Sequence, residues 1–150
     1  MSNSAGNIMQ ILANLPDFLR KPMLRSRLLE FYTLNNDDKR ETIAMAFSAA
    51  PMIDSNKLSV LFRTWLEVLS EFDSERRAVM FCAYCELVLA NASLIQKLDL
   101  ELLTETFLSI DQNKRELLND SLQEVLFSIH NRDEILKLFP EVCLKAVGLK

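Results

Sequence analysis

Arg76-Arg77-Ala78-Val79-Met80-Phe81-Cys82-Ala83-Tyr84-Cys85-Glu86-Leu87-Val88-Leu89-Ala90-Asn91 is the stretch whose reading decides the fold. It is long enough for about four helical turns. After the opening arginines, Glu86 is its only charge. A helix that is apolar nearly all the way round is buried from several sides. The rest of the chain must therefore supply helices to surround it.

The composition agrees. The chain has 150 residues, the size of one ordinary domain. Only 2 glycines and 4 prolines punctuate it, whereas all-β architectures need turn signals about every 8–12 residues. The expected class is all-α. The net charge of −4 argues against general nucleic-acid binding. Three cysteines are odd in number and too few for a disulfide framework, so reduced thiols and a cytoplasmic location are expected. The first residues lack a basic segment followed by an apolar one, which predicts no secretory leader. No run approaches about 18 apolar residues, so no membrane span and no membrane partner are expected.

Residues 1–6 are small and polar and are expected to fray. Ile8, Met9, Ile11, Leu12 and Leu15 recur at helical spacing, and Pro16 ends that helix near Asn14. Phe18 and Leu19 read as a short connection, with Pro22 in the first turn of a second helix. Downstream, Asn36, Asp54, Asp73, Asp99 and Asp111 stand where N-caps belong. Ser93 with Gln96, and Asn131 with Glu134, have capping-box spacing. Pro140 opens a last turn that Gly148 ends.

Setting Arg40, Arg77 and Arg115 in register reveals an internal repeat with spacings of 37 and 38 residues. Asn36, Asp73 and Asp111 precede them by four positions. Ile43, Met80 and Leu118 follow by three, Phe47, Tyr84 and Leu122 by seven, and Ala50, Leu87 and Val125 by ten. Ala46, Ala83 and Ser121 form a column of small residues, suited to close approach by a neighbouring helix. This agreement points to helical hairpins copied along the chain. The period falls between those of tetratricopeptide units (about 34) and HEAT or armadillo units (about 40–47). The layout is similar in plan to a short, right-handed HEAT-like α-solenoid, without the signature of a specific family. The expected organisation is a single domain over 1–150: N-terminal capping helices in 7–34, then hairpin units in 35–71, 72–110 and 111–148. Stacking shelters the middle unit, which explains why its leading helix is the most apolar.

Three constellations could carry chemistry. Cys82 and Cys85 form C-x-x-C, but inside a helix rather than at the N-terminus where redox cysteines gain reactivity. With Cys143 and His130 they would give a three-thiolate, one-imidazole metal site; the simpler reading is that the cysteines are buried apolar residues and His130 a helix-end residue. Arg40, Arg77 and Arg115 lie in first turns, where positive charge is disfavoured. They read either as an arginine ladder for an acidic partner or as stems paired with local acids. Arg20, Lys21, Arg25 and Arg27 form the one basic cluster, a docking edge for an acidic protein surface, nucleic acid or anionic membrane if it is free. Phe62 and Trp65 read as core or interface anchors.

No Gly-rich phosphate loop, G-x-S-x-G or H-E-x-x-H is present, so neither catalysis nor a cofactor is expected. The expected function is a helical-repeat interaction or scaffold module that binds another protein or its own copy. The alternatives are a metal- or small-ligand-binding protein, or an enzyme, built on Cys82, Cys85, Cys143 and His130, and docking to an acidic surface or nucleic acid through Arg20–Arg27.

Overall fold

The structure, a computed structural model, describes residues 4–150. All its regular elements are helical, with no strand among the described residues. The helices are α1 (Ser4–Ala13), α2 (Asp17–Tyr32), α3 (Asn36–Ala49), α4 (Ser55–Glu71), α5 (Ser74–Ala90), α6 (Ser93–Gln96), α7 (Leu100–Leu108), α8 (Gln112–Ser128), α9 (Arg132–Leu136) and α10 (Glu141–Ala146). A 3-10 turn, Ala50–Met52, links α3 to α4. No described helix is long and apolar enough to cross a membrane.

The apolar stretch quoted above forms α5. Arg77, Met80, Phe81, Ala83, Cys85, Leu87 and Val88 are buried, which leaves little of its circumference to solvent. Its neighbours follow a pattern. α1 packs on α3, α3 on α5, and α5 on α8, while α2 packs on α4, α4 on α7, and α7 on α10. The short helices repeat a relation one step along: α6, which follows α5, rests on α3, and α9, which follows α8, rests on α5. Two of the columns read from sequence are buried throughout, while Phe47, Tyr84 and Leu122 are half-buried. Ile43, Met80 and Leu118 are 3%, 0% and 3% exposed, and Ala50, Leu87 and Val125 are also buried.

The expected N-caps divide. Asp73 accepts from the Arg76 N–H at 2.8 Å, Asp99 from Leu102 at 3.0 Å and Asp111 from Asn113 at 3.1 Å. Asp54 precedes α4 without a side-chain cap bond. Asn36 is not a cap; Asn35 is, accepting from the Asp38 N–H at 2.8 Å. Neither capping box forms: the Ser93 hydroxyl donates to Asn91 instead, and Asn131 makes no cap bond. α2 begins at Asp17 rather than at Pro22, so Phe18 and Leu19 are helical and Pro22 lies inside the helix. Pro22 and Phe18, whose carbonyl the proline leaves without a helical donor, are both exposed, so water can serve that carbonyl. Of the residues expected to fray, Ser4–Gly6 belong to α1, and 1–3 lie outside the described residues.

Four corners share one device. Arg20, Lys39, Arg77 and Arg115 each stand four residues after the N-cap residue of their helix. Each reaches back to the carbonyl just before that cap, in the exit of the preceding helix. The acceptors are Leu15, Leu34 (2.6 Å), Phe72 and Ile110 (3.0 Å). Arg20 Nε adds Leu12 at 3.1 Å, and Arg115 adds Leu108 at 2.6 Å. A cation disfavoured at the start of its own helix is favoured at the end of the helix before it, where terminal carbonyls lack helical donors. The first repeated cation is therefore Lys39, not Arg40, which is exposed.

The chain ends in a Schellman motif. Gly148 (φ +77°) follows α10, and the Leu149 and Gly148 N–H groups donate to Leu144 and Lys145 at 2.8 and 3.2 Å. A Cβ on Gly148 would fall 2.8 Å from Gln123 Nε2. Gly148→Ala is expected to lower stability by about 1–2 kcal/mol, read as a shift of the urea midpoint with unchanged slope.

Candidate apolar binding site

The cavity of interest is framed by four helical stripes. α4 presents Phe62, Trp65 and Leu66; α5 presents Phe81, Tyr84, Cys85 and Val88. α7 presents Leu100, Leu103, Thr104 and Phe107, and α8 presents Leu118, Leu122 and Leu126. Each set follows i, i+3, i+4, i+7 or i, i+4, i+8, so one face of each helix points to a common centre. The segment after α8 closes the fourth side with Leu136, Phe139, Cys143 and Val147 among others.

The protein's own side chains leave about 280 Å³ between these faces, partly open to solvent. Its wall is carbon almost throughout, and no charged side chain lines it. Unfilled apolar space costs about 24 cal/mol per Å³. For a volume of about 280 Å³ that is an upper bound of roughly 7 kcal/mol, comparable with the whole stability of an ordinary domain.

An aromatic cluster makes one wall. Trp65 lies 5.4 Å from Phe62 and 5.3 Å from Tyr84, ring centre to ring centre. Tyr84 also meets Phe81 at 6.3 Å and Phe31 at 6.4 Å. The Trp65 indole N–H donates to the Tyr84 hydroxyl at 3.1 Å, which gives both buried polar tips a partner. Burial pushes the Tyr84 phenol well above its ordinary range, outweighing that hydrogen bond.

Two of the cysteines line this cavity and one does not. Cys85 is buried in the wall; its thiol is pushed up to about 11, first by burial and then by Cys82 and Glu86. Cys143 lies 3.0 Å from the Thr104 hydroxyl. Cys82 points away toward Glu86 at 3.7 Å, and burial with that carboxylate raises its pKa. His130 is exposed beyond the end of α8. Among the described residues no three His, Cys, Asp or Glu side chains gather where a metal ion could sit. The four proposed ligands therefore do not assemble a centre.

Cys85 is expected to alkylate on the order of a hundredfold more slowly in the native protein than after unfolding at pH 8, because the thiolate is the nucleophile. Peptide mapping after a timed iodoacetamide pulse reads this directly. The same shift links to stability. The folded thiol titrates above the unfolded one, so its contribution is complete below about pH 8.5 and is lost as the pH rises through the folded value of about 11.

Of the basic residues singled out, all but the exposed Arg40 have an acidic or carbonyl partner. Arg20 is buried, at 2.5 Å from Asp17. Lys21 and Arg25 share Glu71 of α4 at 2.5 and 3.3 Å, and Arg27 lies 3.4 Å from Glu30. Four cations meet three carboxylates, while Lys21, Arg25 and Arg27 keep exposed surface beside those acids. Arg77 is buried against Phe72 and, at 2.8 Å, the Ser121 hydroxyl, and Arg115 is folded onto backbone carbonyls. The three arginines do not form an outward ladder. The small residue at position 121 makes room for the Arg77 guanidinium.

Sequence reasoning missed the cavity, and with it Thr104, Phe107, Leu122 and Phe139. Nothing local marks it, since it is the space left by stripes that each read as ordinary core. Compared with known proteins, the chain matches no family model, no curated protein and no solved structure.

Proposed function

We propose that the chain is a non-catalytic interaction module, a short stack of helical hairpins on a HEAT-like plan. The observation that carries this reading is the pair of contact series, α1–α3–α5–α8 and α2–α4–α7–α10. These series join each unit to the next, α2 with α5 and α4 with α8 also join units two apart, and the recurring cation at four corners supports repetition of one unit. Three free cysteines suit a reducing compartment such as the cytoplasm.

The end of the stack at α1 and α2 carries exposed apolar side chains. Phe18 is 75% exposed and Ile11 56%, with Leu19 and Met23 beside Phe18 on α2. An end of this kind is the natural place for a protein partner, and a second copy of this chain is the first to test. Wild-type protein is expected to self-associate reversibly by sedimentation equilibrium, and Phe18→Asp to remain monomeric with unchanged helicity. A monomer at every concentration, together with no protein retained from a lysate by wild type and lost by Phe18→Asp, contradicts the reading.

A further inference from the structure

We propose that the apolar cavity takes the hydrocarbon chain of one anionic single-chain amphiphile, with its head group outside on Arg132. The proposal goes beyond the interaction reading and stands independently of it. The wall carries no charge and almost no accessible polar atom, so a charged group inside would lose its hydration without a partner. The guest's buried part is therefore hydrocarbon.

Size narrows the guest further. A cavity of about 150 Å³ holds benzene, six carbons. By proportion, the cavity here, of about 280 Å³, has room for about eleven carbons. A partner helix, about 10–12 Å across with its side chains, does not fit. A single unbranched chain does.

A neighbouring recess offers the head group a place. A second recess shares Leu126, Leu136 and Leu149 with the cavity and adds Gln123, Arg132 and Asp133. The two adjoin at these leucines, and the second is where charge begins. Arg132 is exposed, with its guanidinium 5.2 Å from the centre of the Phe127 ring. Gln123 Nε2 lies 3.3 Å from the carbonyls of Val147 and Gly148 and ties the C-terminal segment to α8. Asp133 opposes an anion, so Arg132 is the group in that recess that attracts the head group. An exposed guanidinium in the recess beside a hydrocarbon-lined cavity is complementary to a carboxylate-headed chain.

The probe is dodecanoate, kept below its micelle-forming concentration and titrated into the full chain, with dodecanol as the uncharged control. Trp65 is the only tryptophan and lines the cavity, so its emission reports filling. Saturable one-to-one binding of dodecanoate is expected. Ala146→Phe, which fills the cavity from α10, should weaken it at least about tenfold, the effect of losing roughly two buried methylenes. Cys143→Leu serves as a second filling variant should the first melt early. Arg132→Glu should weaken dodecanoate about fivefold and leave dodecanol unchanged. The proposal is overturned if dodecanoate gives no saturable signal. It is overturned equally if both filling variants bind like wild type, or if Arg132→Glu leaves dodecanoate affinity unaltered.

Discussion

Arg77→Met is expected to lower the unfolding free energy by about 3 kcal/mol and Tm by about 6–12 °C. Arg77 is 5% exposed. Its guanidinium donates to the Phe72 carbonyl, at the C-cap of α4, and to Ser121 Oγ at 2.8 Å. It has no carboxylate partner among the described residues; carbonyls and the negative end of the α4 dipole balance its charge. Methionine keeps much of the volume and removes every donor, which leaves a buried carbonyl and a buried hydroxyl without their partner. Lys39→Met removes one bond, to Leu34, and is expected to cost about 1–2 kcal/mol. Arg40→Met, on the exposed neighbour, is expected to fall within about 0.5 kcal/mol of wild type. Chemical denaturation of the three variants side by side reads the ranking, and an Arg40 effect equal to that of Lys39 would refute the corner device.

Met80→Ala is expected to cost about 3 kcal/mol. Met80 is fully buried in α5, and the truncation leaves space that α3 and α8, both packed on α5, can close only in part. Met80→Leu, which nearly conserves volume, should cost less than about 1.5 kcal/mol. Thermal melts followed by circular dichroism separate the two outcomes. A small effect from Met80→Ala would mean that the centre of the chain is loosely packed.

Much of this architecture could be read from residues alone, because it rests on local signals. The helical class follows from sparse glycine and proline and from 3.6-residue periodicity, and α5 follows from its uniform apolarity. Asp73, Asp99 and Asp111 were legible as caps because an isolated aspartate before an amphipathic run has few other roles. Asn35 and Asn36 were not separable in the same way, since adjacent asparagines offer equal caps. The choice is consistent with Lys39, whose reach to the Leu34 carbonyl suits a helix that starts one residue earlier. Pro22 misled for a related reason. A proline usually opens a helix, but here Arg20, bound to the Leu12 and Leu15 carbonyls, belongs to a start at Asp17, and the gap left by the proline faces water.

The candidate site was far less legible. The basic residues stood out as a pattern, yet the job of Arg20, Lys39, Arg77 and Arg115 is internal: each serves the end of the preceding helix, and a chain read one helix at a time conceals that. Cys85 and Cys143 were singled out for shared chemistry, and the fold does bring both to one cavity, as wall rather than as ligands. The cavity depends on how far apart four faces stand, and no residue type encodes that distance.

Native-state hydrogen exchange, resolved residue by residue, tests the stacked arrangement most directly. The slowest amides are expected in α5, which has a neighbour on either side, with protection falling through α3 and α8 to the least at α1, α2, α9 and α10. One uniform level of protection along the chain, or terminal helices as slow to exchange as α5, would contradict it.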